Sequence, residues 1–287
     1  MTTPGFETTR KIGGDLEISR IGYGAMRLTG QPGNWGAYVD PEGGKQVLRR
    51  AVEIGVNLID TAHAYGAGYN ESLVADALHP YGNGLVVTTK CGLSKMGPGI
   101  SCKDGRPKAI RTGCDASLHH LRAERIDLMQ LHWIDEDTPI EETVGALADL
   151  VREGKIRHIG VSNVTLDQLR RARSVAPIAS VQNRFSFADR SQQEIVDYCT
   201  REDITFFPYG PLDGNPNVIG SPLATPEGVL AAEASRRGCT PTQMALAWLL
   251  ALSPVIVPIP GTRSIAHLEE NAGALGVSLT PAEAAQL

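Results

Sequence analysis

The chain has 287 residues, 42% of them hydrophobic and 21% charged, and carries a net charge of −5. This is ordinary globular usage, and the length suits one α/β barrel, for which about 250 residues are typical. The negative balance excludes a general affinity for nucleic acid or for acidic membrane surfaces and leaves a small molecule as the expected partner.

In chain order, the first residues have neither a basic nor an apolar leader region, so no secretory signal is expected. Residues 8–12 and 16–19 flank Gly13-Gly14, a strong hairpin signal. Residues 21–26 read as the first barrel strand. Its Gly22-x-Gly24 is not a dinucleotide fingerprint, because Arg27 stands where the third glycine belongs and no helix opens there. A glycine-rich loop over 28–39 carries Trp35 and Tyr38. Asp40-Pro41 then starts a helix with Val47, Leu48, Ala51 and Ile54 on one face, and Gly55 ends it.

The same grammar repeats down the chain. Strand 57–59 precedes helix 71–78, and strand 85–89 precedes a long loop, 91–107, and helix 108–121. Strand 128–131 leads to helix 139–152, capped by Thr138 and closed by Gly154. Strand 156–161 leads to helix 166–174, opened by a capping box of Thr165 and Gln168. Strand 180–182 leads to helix 192–200, strand 205–207 to helices after Pro226 and Pro241, and strand 255–259 to helix 265–275. Eight strand–helix alternations with no linker predict a single domain over 1–287, a parallel sheet closed into a (β/α)8 TIM barrel. An open doubly wound sheet is the weaker alternative. The longest apolar stretch, 244–252, is too short to span a bilayer, which needs about 20 residues, and reads as a core helix. Cys91, Cys102, Cys114, Cys199 and Cys239 are odd in number and lack zinc-like spacing, which predicts a reduced, cytoplasmic chain with no metal.

Three apolar runs end in chemistry. Residues 57–59 run into Asp60, 85–89 into Lys90 and 128–131 into His132, with Tyr65 just past the first. Singly, these residues read as a cap, a structural ion pair, a satisfied histidine and a packed ring. Together they stand at the strand ends of a parallel barrel, the face that carries active sites. A phenol with a pKa near 10 is a poor donor at neutral pH, and an ammonium beside it is expected to lower that value. Asp60 is expected to keep Lys90 charged and aimed, and His132 to orient a substrate oxygen. Such a set stabilises an alkoxide forming from a carbonyl.

Gly55-Val-Asn-Leu-Ile-Asp-Thr-Ala-His-Ala-Tyr65, Thr89-Lys90 and Leu131-His132 resemble the signatures of the aldo-keto reductases, in order and spacing over nearly the whole chain. The resemblance implies an NADPH-dependent barrel, its bottom closed by the N-terminal hairpin, that reduces aldehydes or ketones with Asp60, Tyr65, Lys90 and His132. It further implies that Ser162, Asn163 and Gln182 hold the nicotinamide amide under the ring of Tyr209, and that Gly210, Pro211 and Leu212 begin a loop along the pyrophosphate. Gly261, Thr262 and Arg263, at a helix N-terminus after the eighth strand, fit the usual barrel phosphate site. There Arg263 would grip a 2′-phosphate, favouring NADPH (NADP+) over NADH. Glu270 and Asn271 match the family's adenine contacts, whereas His267 stands where many relatives carry Arg or Gln. The sequence stops at Leu287, shortly after Thr280-Pro281, whereas relatives often extend a C-terminal segment over the pocket; if that lid is absent, a more open pocket is expected. Trp35 and Trp133 are candidate pocket walls, and the context around them looks most similar to bacterial members, some resembling pyridoxal reductases. A monomer or weak homo-oligomer is expected. Two rivals are a lyase using Lys90 as a Schiff-base nucleophile and a nucleotide sensor without turnover.

Overall fold

The computed structural model describes residues 7–82, 84–213, 223 and 227–287. Pro226, named above as preceding a helix, and the first six residues, read above for a leader, lie outside them.

Strands β1 (Thr9–Ile12) and β2 (Leu16–Ser19) pair antiparallel around Gly13 and Gly14, both at positive φ, where a side chain would be strained. Ile12, Leu16 and Ile18 pack on Leu58, Val86, Leu128, Phe207, Val257 and Ile259, so the hairpin plugs the barrel floor. After β3 (Tyr23–Gly24), helix α1 (Pro41–Glu53) begins on the Asp40 carboxylate, which accepts from the Gly43 amide. Then follow β4 (Leu58–Asp60), α2 (Tyr69–Leu78), β5 (Val86–Cys91), a hairpin of β6 (Leu93–Gly97) and β7 (Ile100–Lys103), and α3 (Pro107–Leu121). The remaining units are β8 (Ile126–Leu131) with α4 (Ile140–Arg152), β9 (Ile156–Ser162) with α5 (Leu166–Val175), and β10 (Ser180–Gln182) with α6 (Gln193–Arg201). Last come β11 (Thr205–Phe206) with α7 (Val229–Arg237) and α8 (Pro241–Leu252), then α9 (Ile265–Gly273) and α10 (Pro281–Ala284).

Strands β3, β4, β5, β8, β9, β10 and β11 pair in parallel in chain order. An order that never reverses has no switch point, which rules out the doubly wound alternative. The eighth segment closes the ring on both sides. Phe206 donates to Val255 O and Val257 to Phe206 O, each at 2.9 Å, while Gly22 donates to Pro258 O at 2.9 Å. The chain is a (β/α)8 barrel. Its expected eighth strand is reduced to a single bridge, Phe206 to Ile256, because Pro258 and Pro260 have no N–H to continue a ladder. Arg20 is buried beneath this seam and donates to Leu250 O, Ser253 O and Ile256 O, tying the end of α8 to the ring.

Two further expectations are corrected. The stretch 91–107 is largely the β6–β7 hairpin rather than open loop, turning at Pro98-Gly99. Thr138 does not cap α4: its hydroxyl donates to Asp135 Oδ2, and Pro139 is the cap residue.

The strand period of two sorts the side chains. Ile59, Val87, Met129, Ile159 and Val181 point outward to the helices, in the outer core. Leu58, Val86 and Leu128 point inward over the hairpin plug. One step up, the inward layer turns polar with Asp60, Thr88 and Gln130, and above it stand Lys90 and His132. The register places Asp60 against Thr88 and Lys90 against Gln130. Gly160 leaves room inside, since a Cβ there would lie 2.3 Å from Ser180 Oγ.

Candidate active site

Asp60 ends β4 and is buried, yet both of its oxygens have donors. Its Oδ2 takes the Lys90 ammonium at 2.6 Å, and its Oδ1 accepts from Thr88 at 2.9 Å, Gln182 at 3.0 Å and Gln130 at 3.2 Å. Lys90 is fully buried at the end of β5. Its remaining hydrogens go to Thr61 O at 2.8 Å and Tyr65 Oη at 3.4 Å. Burial is the largest single influence on Lys90 and disfavours its charge, but the charges and hydrogen bonds of Asp60 and Tyr65 together outweigh it and hold the ammonium above its usual range.

Tyr65 stands on the short turn after β4 and meets the His132 ring edge-on at 5.7 Å. The four residues singled out at the strand ends are therefore gathered at one mouth. The expected acidification of the phenol is not: burial raises the Tyr65 pKa above 10 and prevails over the lowering by Lys90. The resting phenol keeps its proton, and the ammonium instead stabilises the phenolate left as the proton departs.

His132 is held by its backbone, donating to Cys91 O and accepting from Asn163 Nδ2, both at 2.9 Å. Burial, reinforced by the charges of Lys90 and Lys95, keeps its imidazole well below the usual 6.5, and its Nδ1 has no partner. A neutral ring at the mouth can donate one hydrogen bond to an oxygen. Such a histidine binds a proton on unfolding as pH falls below about 6.5, so it contributes stability that is lost in that direction, with a limiting slope near 1.4 kcal/mol per pH unit. We expect His132→Asn to flatten the fall in stability between about pH 7.5 and 5.5; urea midpoints at the two pH values measure it, and an unchanged fall would sink the assignment.

The residues expected around a nicotinamide also converge. Tyr209 Oη donates to Asn163 Oδ1 at 2.8 Å, and Ser162 Oγ donates to Gln182 O at 2.7 Å. Asn163 adopts φ +58, a left-handed turn that carries its amide back over His132. Gln182 differs from expectation, because its amide hydrogens go to Asp60 Oδ1 at 3.0 Å and Gln130 Oε1 at 3.4 Å, and its oxygen is left to accept from a ligand. Gly210, at φ +61, turns the chain toward buried Pro211 and half-buried Leu212, where Arg184 pairs with Asp213 at 2.5 Å.

At the seam, Gly261 and Gly24 approach so closely that a Cβ on Gly261 would lie 2.6 Å from Gly24 O. Thr262 O accepts from Tyr23 Oη at 2.6 Å, and Ser264 caps α9. Arg263 and His267 are exposed beside this N-terminus, Glu270 is half-buried, and Asn271 is buried within α9. Arg27 lies here too, near enough to Arg263 for their charges to repel, behind burial as the main cause of its lowered pKa. Two guanidiniums at a helix N-terminus fit an anion. Trp35 and Trp133 are each more than a third exposed, Trp133 beneath the Lys103 ammonium at 5.6 Å. Asn34 O, beside Trp35, accepts from the amide of Gly66, so the first loop sits against the Tyr65 turn.

Sequence reasoning missed Thr88, Gln130, Arg27 and Lys95. The first two share the inward parity of Lys90 and His132, and that period could have found them.

A model of the Aldo/keto reductase family matches residues 20–216 and 227–287. An uncharacterized oxidoreductase of Schizosaccharomyces pombe is 39% identical over 93% of this chain and 85% of its own. Pyridoxine 4-dehydrogenase of Escherichia coli is 36% identical over 91% of each. Among solved structures, an aldo/keto reductase from Klebsiella pneumoniae in complex with NADP and acetate superposes with a TM-score of 0.80 at 27% identity, covering 98% of this chain and 94% of that one.

Proposed function

Because the chain belongs to the aldo/keto reductase family, we propose that it reduces an aldehyde or ketone to an alcohol at the barrel mouth, with Tyr65 as proton donor. The observation that carries this reading is the gathering of Asp60, Tyr65, Lys90 and His132 above one sealed floor. When bound, NADPH supplies the hydride. The neighbouring guanidiniums of Arg27 and Arg263, the α9 N-terminus, and the polar group of Ser162, Asn163 and Gln182 beside the Tyr209 ring support its fit.

Each side chain then has a task. His132, neutral, donates to the carbonyl oxygen and aims it at Tyr65. Tyr65 passes its proton to that oxygen as negative charge builds there. Lys90 stabilises the phenolate, and Asp60 fixes Lys90 while its other oxygen is spent on three neutral donors. The lyase rival fares poorly on the same geometry, because a Schiff-base nucleophile must be an unprotonated amine, and Lys90 is a paired ammonium with all three hydrogens engaged.

For the substrate we favour a flat aromatic aldehyde of the pyridoxal type. Trp35 and Trp133 offer ring surfaces at the rim, and a pyridoxine 4-dehydrogenase is among the relatives. Among the described residues no helix is long and apolar enough to cross a membrane.

Consumption of NADPH, followed at the nicotinamide absorbance with pyridoxal and a panel of aromatic and aliphatic aldehydes, tests the reading. Turnover is expected, fastest with the aromatic carbonyls; none with any carbonyl would leave the sensor reading in its place. In the same assay Arg263→Ala should raise KM for NADPH about 10- to 100-fold, the worth of a charge-assisted bond, and spare NADH. Equal losses with both cofactors would remove Arg263 from the 2′-phosphate.

A further inference from the structure

We propose that His63, Glu71 and His120 form a binding site for one divalent transition-metal ion of the zinc type, behind the turn that carries Tyr65. Their ligand atoms, two imidazole nitrogens and a carboxylate oxygen, all lie within 4.8 Å of one another. The Nδ1 atoms of His120 and His63 stand 3.1 and 3.6 Å from Glu71 Oε2. These distances bracket the edge, about 3.3 Å, of a tetrahedron with metal–ligand bonds of about 2.0–2.1 Å. Two histidines and a glutamate, with a fourth position for water, are a set zinc accepts.

Independent features point the same way. Glu71 is buried, and its Oε1 is fixed by the Thr89 hydroxyl at 2.5 Å, which aims Oε2 at the two imidazoles. Metal-binding carboxylates are oriented by such a second bond. His63 Nδ1 is buried with no hydrogen-bond partner, and 3.6 Å to Glu71 is too long to count as one. An orphaned buried nitrogen calls for an explanation such as an ion. Room for the His120 ring exists only because residue 68 is glycine: a Cβ there would fall 2.3 Å from His120 Cε1. The two rings lie nearly parallel, 5.7 Å apart, and must turn to face a common ion. Their side chains are 22% and 26% exposed, which allows the turn and gives an entry path.

The site lies next to the catalytic set without belonging to it. His63 falls between Asp60 and Tyr65 and donates its backbone N–H to Lys90 O at 3.2 Å, and Thr89 precedes Lys90. An ion here clamps the Tyr65 turn to α2 and α3. The ligands come from three separate elements, so no short spacing in the sequence announces them, and the expectation of a metal-free chain rested on such spacings alone.

The test uses the untagged full chain, stripped with a chelator and desalted, then titrated calorimetrically with Zn2+ alone and spectroscopically with Co2+ alone. One equivalent of Zn2+ per chain is expected, together with the visible absorption of four-coordinate Co2+. His63→Asn and His120→Asn, both at partly exposed positions, should each weaken Zn2+ at least about tenfold and quench the band, the least that damage to a metal site costs. His119→Asn, beside the site, should leave both intact. No Zn2+ uptake by the unaltered chain, or uptake that both histidine variants retain unchanged, overturns the proposal. Glu71→Gln is not the deciding variant, since losing the buried carboxylate can unfold the chain.

Discussion

Replacing Tyr65 by Phe should lower kcat for carbonyl reduction by about 10²- to 10⁴-fold, the usual worth of a positioned acid, while NADPH affinity stays within about twofold. The substitution removes one oxygen and nothing else. The ring keeps its edge-on contact with His132, and Lys90 loses only its longest contact, 3.4 Å, while holding Asp60 and Thr61 O. The residues proposed around the cofactor, Asn163, Gln182 and Tyr209, do not bond to Tyr65, so binding should be untouched. Single-turnover NADPH oxidation gives the chemical step, and calorimetric titration with NADP+ gives the affinity. Retention of most of kcat would mean that the oxygen takes its proton elsewhere, and the mechanism would fail. Because the Tyr65 phenol sits above its ordinary pKa, the rate of the unaltered chain should not fall with rising pH until well above neutrality on account of this group.

How far the sequence reached follows from what leaves a mark on neighbouring residues. Asp60, Lys90 and His132 were legible because a titratable residue closing a buried apolar run is costly and conspicuous. Ring closure was legible from the count of alternations, but the weak eighth strand was not weighed against Pro258 and Pro260, which stand in plain view and cannot donate. The β6–β7 hairpin escaped because Ser94, Lys95, Ser101 and Cys102 show no apolar alternation, although Pro98-Gly99 is a turn signal. Arg27 was noticed only for what it interrupts, since its nearness to Arg263 depends on the seam between the first and last barrel segments. The direction of the Tyr65 shift was out of reach for a different reason. It is the difference between burial and a nearby charge, and a sequence places the charge without giving the depth. The Thr88 and Gln130 donors show the same limit: parity gives the face, while the partner depends on register.

Breaking the Asp60–Lys90 pair from either side should cost stability, and the two losses should not add. Asp60→Asn leaves an ammonium with no exposed surface beside a neutral amide, whose NH2 end must face either that ammonium or the Thr88, Gln130 and Gln182 donors with hydrogens of its own. Lys90→Met leaves a buried carboxylate that keeps those three neutral donors but loses the ion at 2.6 Å. Removing one member of a buried pair typically costs about 3–5 kcal/mol, mostly the desolvation of the charge left behind. The double variant strands no charge, so its loss should fall short of the sum of the singles by about 1–3 kcal/mol, the coupling expected of groups in direct contact. Urea midpoints and slopes for the four proteins give the cycle. Each variant should also reduce carbonyls poorly, since Lys90 can no longer be charged and aimed at Tyr65. Losses that simply add would mean the two groups do not depend on each other, and the ammonium would then have to be held by Thr61 O and the phenol alone. Coupling together with lost turnover ties the stability of the barrel mouth to its chemistry through one ion pair.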